Sequence, residues 1–142
     1  MTDGTPLPPP GVPHSTGKVW YGLGALSAGL AVALGAFGAH GLKSVATPDM
    51  LALFETAARY QMYHALALLA VGWGSTAWGS RKNRAYLLAG LCFAGGTVLF
   101  CGSLYALSTT GILWLGAITP FGGMLFLCGW LSLAVAALRR RD

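Results

Sequence analysis

Long uncharged stretches, separated by short polar or basic breaks, dominate this sequence. The first runs from Val19 to Ala39 and contains 21 uncharged residues. At about 1.5 Å per residue, a helix of that length spans roughly 31 Å, the thickness of a hydrocarbon core. A cleavable signal peptide is the rival interpretation, but the stretch is longer than the usual apolar region of such a peptide. From Ala85 to Leu138 the chain has no Asp, Glu, Lys, Arg or His, and these 54 residues are enough for two further spans.

Local signals indicate where the helices begin, end and bend. Thr47-Pro48-Asp49 predicts a helix start, with Thr at the N-cap and Pro at the first helical position. The sequence Ser-Thr-Thr-Gly at 108–111 predicts a tight break between the last two spans. Pro120 removes a backbone hydrogen bond and predicts a kink in the last helix.

The fold class predicted by this pattern is an all-α integral membrane protein, a bundle of four transmembrane helices. The helices are expected at about 19–39, 48–79, 85–107 and 112–138. Residues 1–17 contain five prolines and no aromatic side chain, which predicts a disordered, proline-rich cytoplasmic tail. Residues 18–142 are predicted to form the four-helix membrane domain.

The distribution of basic residues predicts the orientation. With four spans, both termini and the turn between the second and third spans share one side of the membrane. That side has seven basic residues, whereas the other side has two, Lys43 and Arg59. Basic residues concentrate on the cytoplasmic side, so both termini are expected there. The seven are Lys18, Arg81, Lys82, Arg84, Arg139, Arg140 and Arg141.

Composition supports the membrane interpretation. The chain is 55% hydrophobic and 9% charged, whereas soluble domains have about 25% charged residues. The net charge of +5 is concentrated in short clusters beside the apolar spans, which is typical of a topology signal. We therefore expect lipid as the surrounding medium and no nucleic acid as a partner.

Small residues recur at every fourth position along the first span: Ser27, Ala31, Gly35 and Ala39. Small side chains at this spacing let helix backbones approach closely in a membrane. The stripe predicts helix packing within the bundle, with a homodimer seam as the alternative.

Polar side chains gather near the predicted outer end of the first two spans: His40, Glu55, Arg59, Tyr60, Gln61 and His64. Glu55 precedes Arg59 by four positions, the favourable order for an ion pair along a helix. His64 lies deeper, where ionisable groups are costly and face protein or a water-filled cavity. In the structural interpretation, His64 is hydrogen-bonded to another helix, with the first helix as the expected partner. In the functional interpretation, His40, Arg59 and His64 bind a ligand, a proton or a haem.

Sequence patterns of catalysis are absent. The chain has no phosphate-binding glycine loop, no nucleophile elbow and no paired carboxylates. Its three cysteines, Cys92, Cys101 and Cys128, lie inside apolar spans and are expected to be packing residues. We therefore expect a protein that is not an enzyme, with no catalytic residues, no cofactor and no metal site.

Four motifs resemble one known family. They are GAFGAHGLK at 35–43, FETAARYQMYHALALL at 54–69, GTVLFCGSLYAL at 96–107 and LGAITPFGGMLFLCGWLSL at 115–133. In this order, across about residues 20–138, they resemble the domain-of-unknown-function 423 family (DUF423), small membrane proteins of the YgdD and transmembrane protein 256 types. The resemblance implies a small multi-span membrane protein and supplies no activity or catalytic residue.

The function expected from these features is structural. A nearly loopless bundle offers mainly its helix faces to partners, so the leading hypothesis is an accessory subunit that docks on a larger inner-membrane complex. One alternative is a homo-oligomeric channel or small-solute transporter that uses the cluster of His40, Glu55, Arg59, Tyr60 and His64. A second is a redox subunit with His40 and His64 as haem ligands. The bacterial cytoplasmic membrane is the expected location, with the mitochondrial inner membrane as the alternative.

Overall fold

The computed structural model describes residues 15–77 and 83–138, so residues 1–14, Arg81, Lys82 and the C-terminal arginines lie outside the described residues. Residues 15–17, which the sequence predicts as part of the disordered tail, are helical. Within these two ranges the regular secondary structure is helical, with short turns between helices and no strand. The α-helices are α1 (Ser15–Phe37), α2 (Pro48–Ala77), α3 (Asn83–Gly96), α4 (Gly102–Thr110) and α5 (Thr119–Leu138). A π-helical turn extends α1 (Gly38–Leu42), another joins α3 to α4 (Thr97–Cys101), and a 3₁₀ turn (Leu113–Ala117) precedes α5.

These elements combine into four long helical segments. Because the π-helical turn leaves no break between α3 and α4, residues 83–110 form one continuous helix. Among the described residues, three segments are long and apolar enough to cross a membrane: Gly17–Leu42, Arg84–Thr110 and Leu113–Ala136. The chain is thus an all-helical protein with apolar helices of membrane-spanning length.

The start of α2 and the end of α4 both have recognisable capping chemistry. The Thr47 hydroxyl accepts a hydrogen bond from the Met50 backbone N–H at 3.4 Å, as expected of an N-cap before Pro48. At the end of α4, Gly111 adopts a φ of 71° and donates its N–H to the carbonyl of Leu107. Gly tolerates this left-handed conformation without the penalty that a Cβ imposes, so the chain turns there, within the predicted break at 108–111.

Pro120 starts a helix, whereas the sequence predicts a kink inside a longer one. It is the second residue of α5, and the 3₁₀ turn Leu113–Ala117 lies just before it. A proline costs little in the first helical turn, since its missing N–H would have no intrahelical acceptor there. The Thr119 hydroxyl lies 2.8 Å from the Ser103 hydroxyl, so this helix start is tied to α4.

The α1–α2 seam is formed by small residues. Every seventh residue along α1 and its π-helical extension is small and buried: Gly17, Gly24, Ala31 and Gly38. A Cβ placed on Gly24 would lie 2.9 Å from the carbonyl oxygen of Ala65, and one on Gly72 would lie 3.0 Å from the carbonyl oxygen of Gly17. The two backbones are therefore in close contact, and the seven-residue spacing is typical of closely paired helices.

The α3–α5 seam is formed differently, by aromatic rings seated on glycines. A Cβ on Gly96 would lie 2.5 Å from the ring of Phe126, and one on Gly129 would lie 2.6 Å from the ring of Phe93. Gly96 and Gly129 thus make room for a ring from the facing helix. Gly122 differs from them, because a Cβ there would clash with the backbone of Phe100.

Successive helical segments run antiparallel, with α2 and the α3–α4 segment in the middle of the bundle. Gly17 lies against Thr76, and Gly74 lies against Tyr86, at one end. Arg84 and Val135 line one groove at that same end. The start of α1, the end of α2, the start of α3 and the end of α5 therefore lie together.

Candidate functional site

The polar residues of α2 separate onto two faces. Gln61 and His64 are buried, whereas Glu55 and Arg59 are exposed. Tyr60 lies between the two groups and is partly exposed. The cluster predicted from the sequence is thus divided into an inward-facing part and an outward-facing part.

His64 makes hydrogen bonds through both ring nitrogens. Its Nδ1 lies 2.8 Å from the carbonyl oxygen of Tyr60, one turn earlier in α2. The indole N–H of Trp130, on α5, donates to Nε2 at 3.2 Å. The expected hydrogen bond from His64 to another helix is present, but its partner lies on α5, not on α1.

This pair of contacts defines the form of the imidazole. An indole nitrogen can only donate, so Nε2 of His64 must accept and has no proton. The proton is therefore on Nδ1, which donates to the Tyr60 carbonyl, and the ring is neutral. In this arrangement neither nitrogen is left without a partner.

Aromatic rings enclose the His64 imidazole. It stacks on Phe126 with a centroid distance of 3.4 Å and an interplanar angle of 4°. The Phe93 ring lies 5.6 Å away, and Tyr60 stacks between His64 and Phe100, 4.8 Å from the latter. His64 thus connects α2 to both α3 and α5 by packing, and to α5 also by a hydrogen bond.

Gln61 connects α2 to two other helices. Its Nε2 donates to the carbonyl oxygen of Ser27 on α1 at 3.2 Å. Its Oε1 accepts a hydrogen bond from the Tyr105 hydroxyl on α4 at 2.9 Å. One amide side chain therefore uses its donor and its acceptor to join three helices.

Glu55, Arg59 and His40 take no part in this network. Glu55 and Arg59 are both exposed, and within the described residues neither side chain has an ion-pair or hydrogen-bond partner. The ion pair predicted from their spacing is therefore absent from the described structure. An exposed pair gains little free energy, because water or headgroups screen it and both side chains lose conformational freedom.

His40 lies in the π-helical turn after α1 and is exposed. The adjacent Gly38 packs on Phe54, ten residues before His64 on α2. Ten residues correspond to about 15 Å along a helix, so the two histidines lie at different levels of the bundle. The described residues also contain no group of three or more metal-ligand side chains.

The small residues predicted as a packing stripe are placed unequally. Ala31 is buried in the α1–α2 seam, Ser27 and Gly35 are partly buried, and Ala39 is exposed. The closest approach follows a seven-residue spacing, not the four-residue spacing. Sequence reasoning also missed Trp130, although an indole N–H in an apolar span is stabilised by a hydrogen-bond acceptor on another helix.

Comparison with known proteins identifies the family. The model of the family described as "Protein of unknown function (DUF423)" matches residues 34–123. A UPF0382 membrane protein of Staphylococcus epidermidis is 47% identical over 122 residues, which cover 86% of this chain and 97% of the relative. The UPF0382 membrane protein YwdK of Bacillus subtilis is 46% identical over 125 residues, with 86% and 98% covered. No solved structure matches the chain. These matches, together with the apolar helices, show that the chain belongs to the DUF423 family and is a membrane protein.

Proposed function

We propose that this protein is a non-enzymatic accessory subunit of the bacterial cytoplasmic membrane that docks on the helices of a larger complex. The observation that carries this proposal is the closed polar network around Gln61 and His64. Both polar atoms of the amide and both nitrogens of the imidazole bond to protein groups. Such a network stabilises the bundle, and it leaves the outer helix faces as the surface for interaction.

The proposal includes four transmembrane helices, with α2 as the additional span. At 30 residues α2 is about 45 Å long, which exceeds the thickness of a hydrocarbon core. Its buried polar residues lower its hydropathy, but they face protein and have hydrogen-bond partners, as a membrane interior requires. Glu55 and Arg59 lie within the first 12 of its 30 residues, nearer to one membrane surface than to the other.

The proposed orientation puts both termini in the cytoplasm. The start of α1 and the end of α5 lie at the same end of the bundle, which supports an even number of spans. Seven of the nine basic residues belong to that end by sequence. The excess of Lys and Arg favours the cytoplasmic side.

The face of α1 opposite α2 is the proposed docking surface. Gly22 and Gly29 have open space where a Cβ would lie, and Leu26 between them is 75% exposed. Small residues on an outer face let another transmembrane helix approach closely, and van der Waals contact of this kind drives helix association in lipid. A partner helix would therefore find a shallow, uncharged groove there.

A homo-oligomeric channel is the second candidate, and one observation favours it. Glu55 and Arg59 are exposed on the outer surface of α2, where a ring of subunits could place them around a shared path. In that case the two charges would act between copies of the chain.

The discriminating experiment is purification of the tagged full chain in mild detergent from its own membranes. We expect a larger membrane complex to co-purify in constant stoichiometry. Gly29→Leu fills the proposed groove and should abolish co-purification. Gly102→Leu is the matched control, since Gly102 also has open space at its Cβ position but lies on α4.

The melting temperatures of both variants should equal that of the unmodified protein. Retention of the complex by the Gly29→Leu variant would exclude the α1 face. Isolation of the chain alone as an oligomer that conducts ions in liposomes, with conduction lost on Glu55→Ala, would favour the channel instead.

A further inference from the structure

A groove of about 340 Å³ lies between α3 and α5, at the end of the bundle where the described chain begins and ends. Leu88 and Leu131, on its two walls, are 53% and 66% exposed, so the groove opens outward toward lipid. Its lining is apolar except at one end. The lining residues are Arg84, Ala85 and Leu88 of α3 and Leu131, Ser132 and Val135 of α5.

Arg84 is the charged member of this lining. Its side chain is exposed, and within residues 15–77 and 83–138 it has no acidic partner. The acidic residues of those ranges, Asp49 and Glu55, both lie near the start of α2, at the opposite end of the bundle. In the sequence, Arg81 and Lys82 precede α3 and three arginines follow α5.

The Ser132 hydroxyl needs no hydrogen-bond partner from a molecule in the groove. Its hydroxyl donates to the carbonyl oxygen of Cys128 at 2.7 Å, within α5. The walls therefore present methyl and methylene groups below a single guanidinium. This combination is complementary to a molecule with an anionic head and an apolar chain.

We propose that this groove binds a phospholipid with an anionic headgroup. The phosphate pairs with the Arg84 guanidinium, whose planar donors suit phosphate oxygens, and one acyl chain lies between α3 and α5. Basic pockets between transmembrane helices bind acidic headgroups in this way. The site is distinct from the proposed docking face on α1, and it does not depend on the orientation of the protein in the membrane.

Native mass spectrometry of the full chain in a neutral detergent tests the proposal. Phosphatidylglycerol and phosphatidylcholine with identical acyl chains are added at equal concentration. One favourable arginine contact near the membrane surface corresponds to about fivefold tighter retention of phosphatidylglycerol. Arg84→Gln should reduce this preference to near unity. Arg59→Gln is the matched control, because it removes an exposed cation at the other end and should leave the preference unchanged.

Two further variants test the groove separately from the charge. Ser132→Phe from α5 and Leu88→Trp from α3 each fill the groove and leave Arg84 in place. Both variants should lose bound phosphatidylglycerol. In at least one of them, the melting temperature of the lipid-free protein should equal that of the unmodified protein. Glycerol phosphate, which has the headgroup chemistry without acyl chains, should not displace the lipid.

Equal retention of the two lipids would overturn the proposal. So would an equal loss with Arg84→Gln and Arg59→Gln, since diffuse surface charge would then explain the preference. Retention that survives both groove-filling variants would also overturn it, because the acyl chain would then lie elsewhere.

Discussion

The α1–α2 and α3–α5 seams solve the same problem in different ways. In lipid, burying apolar side chains between helices contributes little free energy of association. Close van der Waals packing therefore has to stabilise the contact between helices. In the first seam, small residues bring two backbones together, as where Gly24 meets Ala65. In the second, glycines accept large rings, as where Gly129 meets Phe93. Close backbone approach at Gly24 depends on small residues in both helices, whereas contact at Gly96 and Gly129 depends on a glycine that faces a ring. The contrast holds for these positions, since Gly122 of the second seam lies against the Phe100 backbone.

This difference determines what a substitution can do. A clash with backbone can be relieved only by moving a whole helix, whereas a clash with a ring can be relieved by trimming that ring. The two seams should therefore respond differently to the addition of one methyl group, and the polar network between them should respond less than either.

The largest effect is expected for Gly24→Ala. Its Cβ would lie 2.9 Å from the Ala65 carbonyl oxygen and 3.0 Å from the Leu69 backbone nitrogen. Overpacking of this kind costs about 1–3 kcal/mol, and we expect the upper part of that range. The measurement is the free energy of unfolding in mixed micelles titrated with dodecyl sulfate. Gly29→Ala is the control and should show no loss, since open space surrounds that position. Equal losses at both positions would mean that α1 and α2 are not in backbone contact.

Gly129→Ala is expected to cost less, about 1–2 kcal/mol, because its new methyl group meets the Phe93 ring. Combining it with Phe93→Leu should relieve part of the clash. The double variant should therefore lose less unfolding free energy than the two single variants lose in sum. No side-chain change should rescue Gly24→Ala, and Leu69→Ala is the variant that tests this. Strict additivity at Gly129 and Phe93 would remove the distinction between the seams.

The network that links the two seams should show a smaller coupling. Gln61→Leu and Tyr105→Phe each break the hydrogen bond between α2 and α4. Hydrogen bonds between membrane helices couple by about 0.6 kcal/mol on average, with a maximum of about 1.7 kcal/mol, and a double-mutant cycle measures this value. Tyr63→Phe is the matched control, since Tyr63 is an exposed tyrosine of α2, and it should not couple to Gln61. A coupling near zero for Tyr105 would contradict the network.

The smallest effect is expected at Glu55 and Arg59. Both side chains are exposed and unpaired among the described residues, so Glu55→Ala and Arg59→Ala should each change stability little. Their combined effect should be additive within about 0.3–0.5 kcal/mol. A large positive coupling in the same unfolding assay would show that an ion pair forms after all.

The parts of the fold that depend on local chemistry could be predicted from the sequence. Thr47 marks the start of α2 and Gly111 the end of α4, since capping and left-handed turns restrict the residue types that fit. Pro120 marks a boundary as well, but its residue type is equally compatible with a kink and a helix start. The choice between them depends on the preceding 3₁₀ turn, and no single residue type in the sequence predicts that turn.

The candidate site was harder to predict, because its partners are distant in sequence. The sequence shows polar residues at 55, 59, 61 and 64. However, their α-helical spacing alone does not predict which of them other helices bury. The structure assigns Gln61 and His64 to the interior through Ser27, Tyr105 and Trp130, which are 34 to 66 positions away. A partner for His64 on α1 was the wrong expectation, because α5 crosses beside it.

The hydrogen bond between Trp130 and His64 also affects the order in which the bundle can assemble during synthesis. The two residues are 66 positions apart, and His64 is synthesised first. At about 5–20 residues per second, α2 exists for roughly 3–13 s before its indole partner is made. During that interval the His64 imidazole lacks the Trp130 indole as a hydrogen-bond donor. Gln61 can already donate to the Ser27 carbonyl, but the Tyr105 hydroxyl that donates to it has not yet been made. On the proposed four-span topology, the nascent second helix is therefore expected to remain beside the membrane insertion machinery until the later helices emerge.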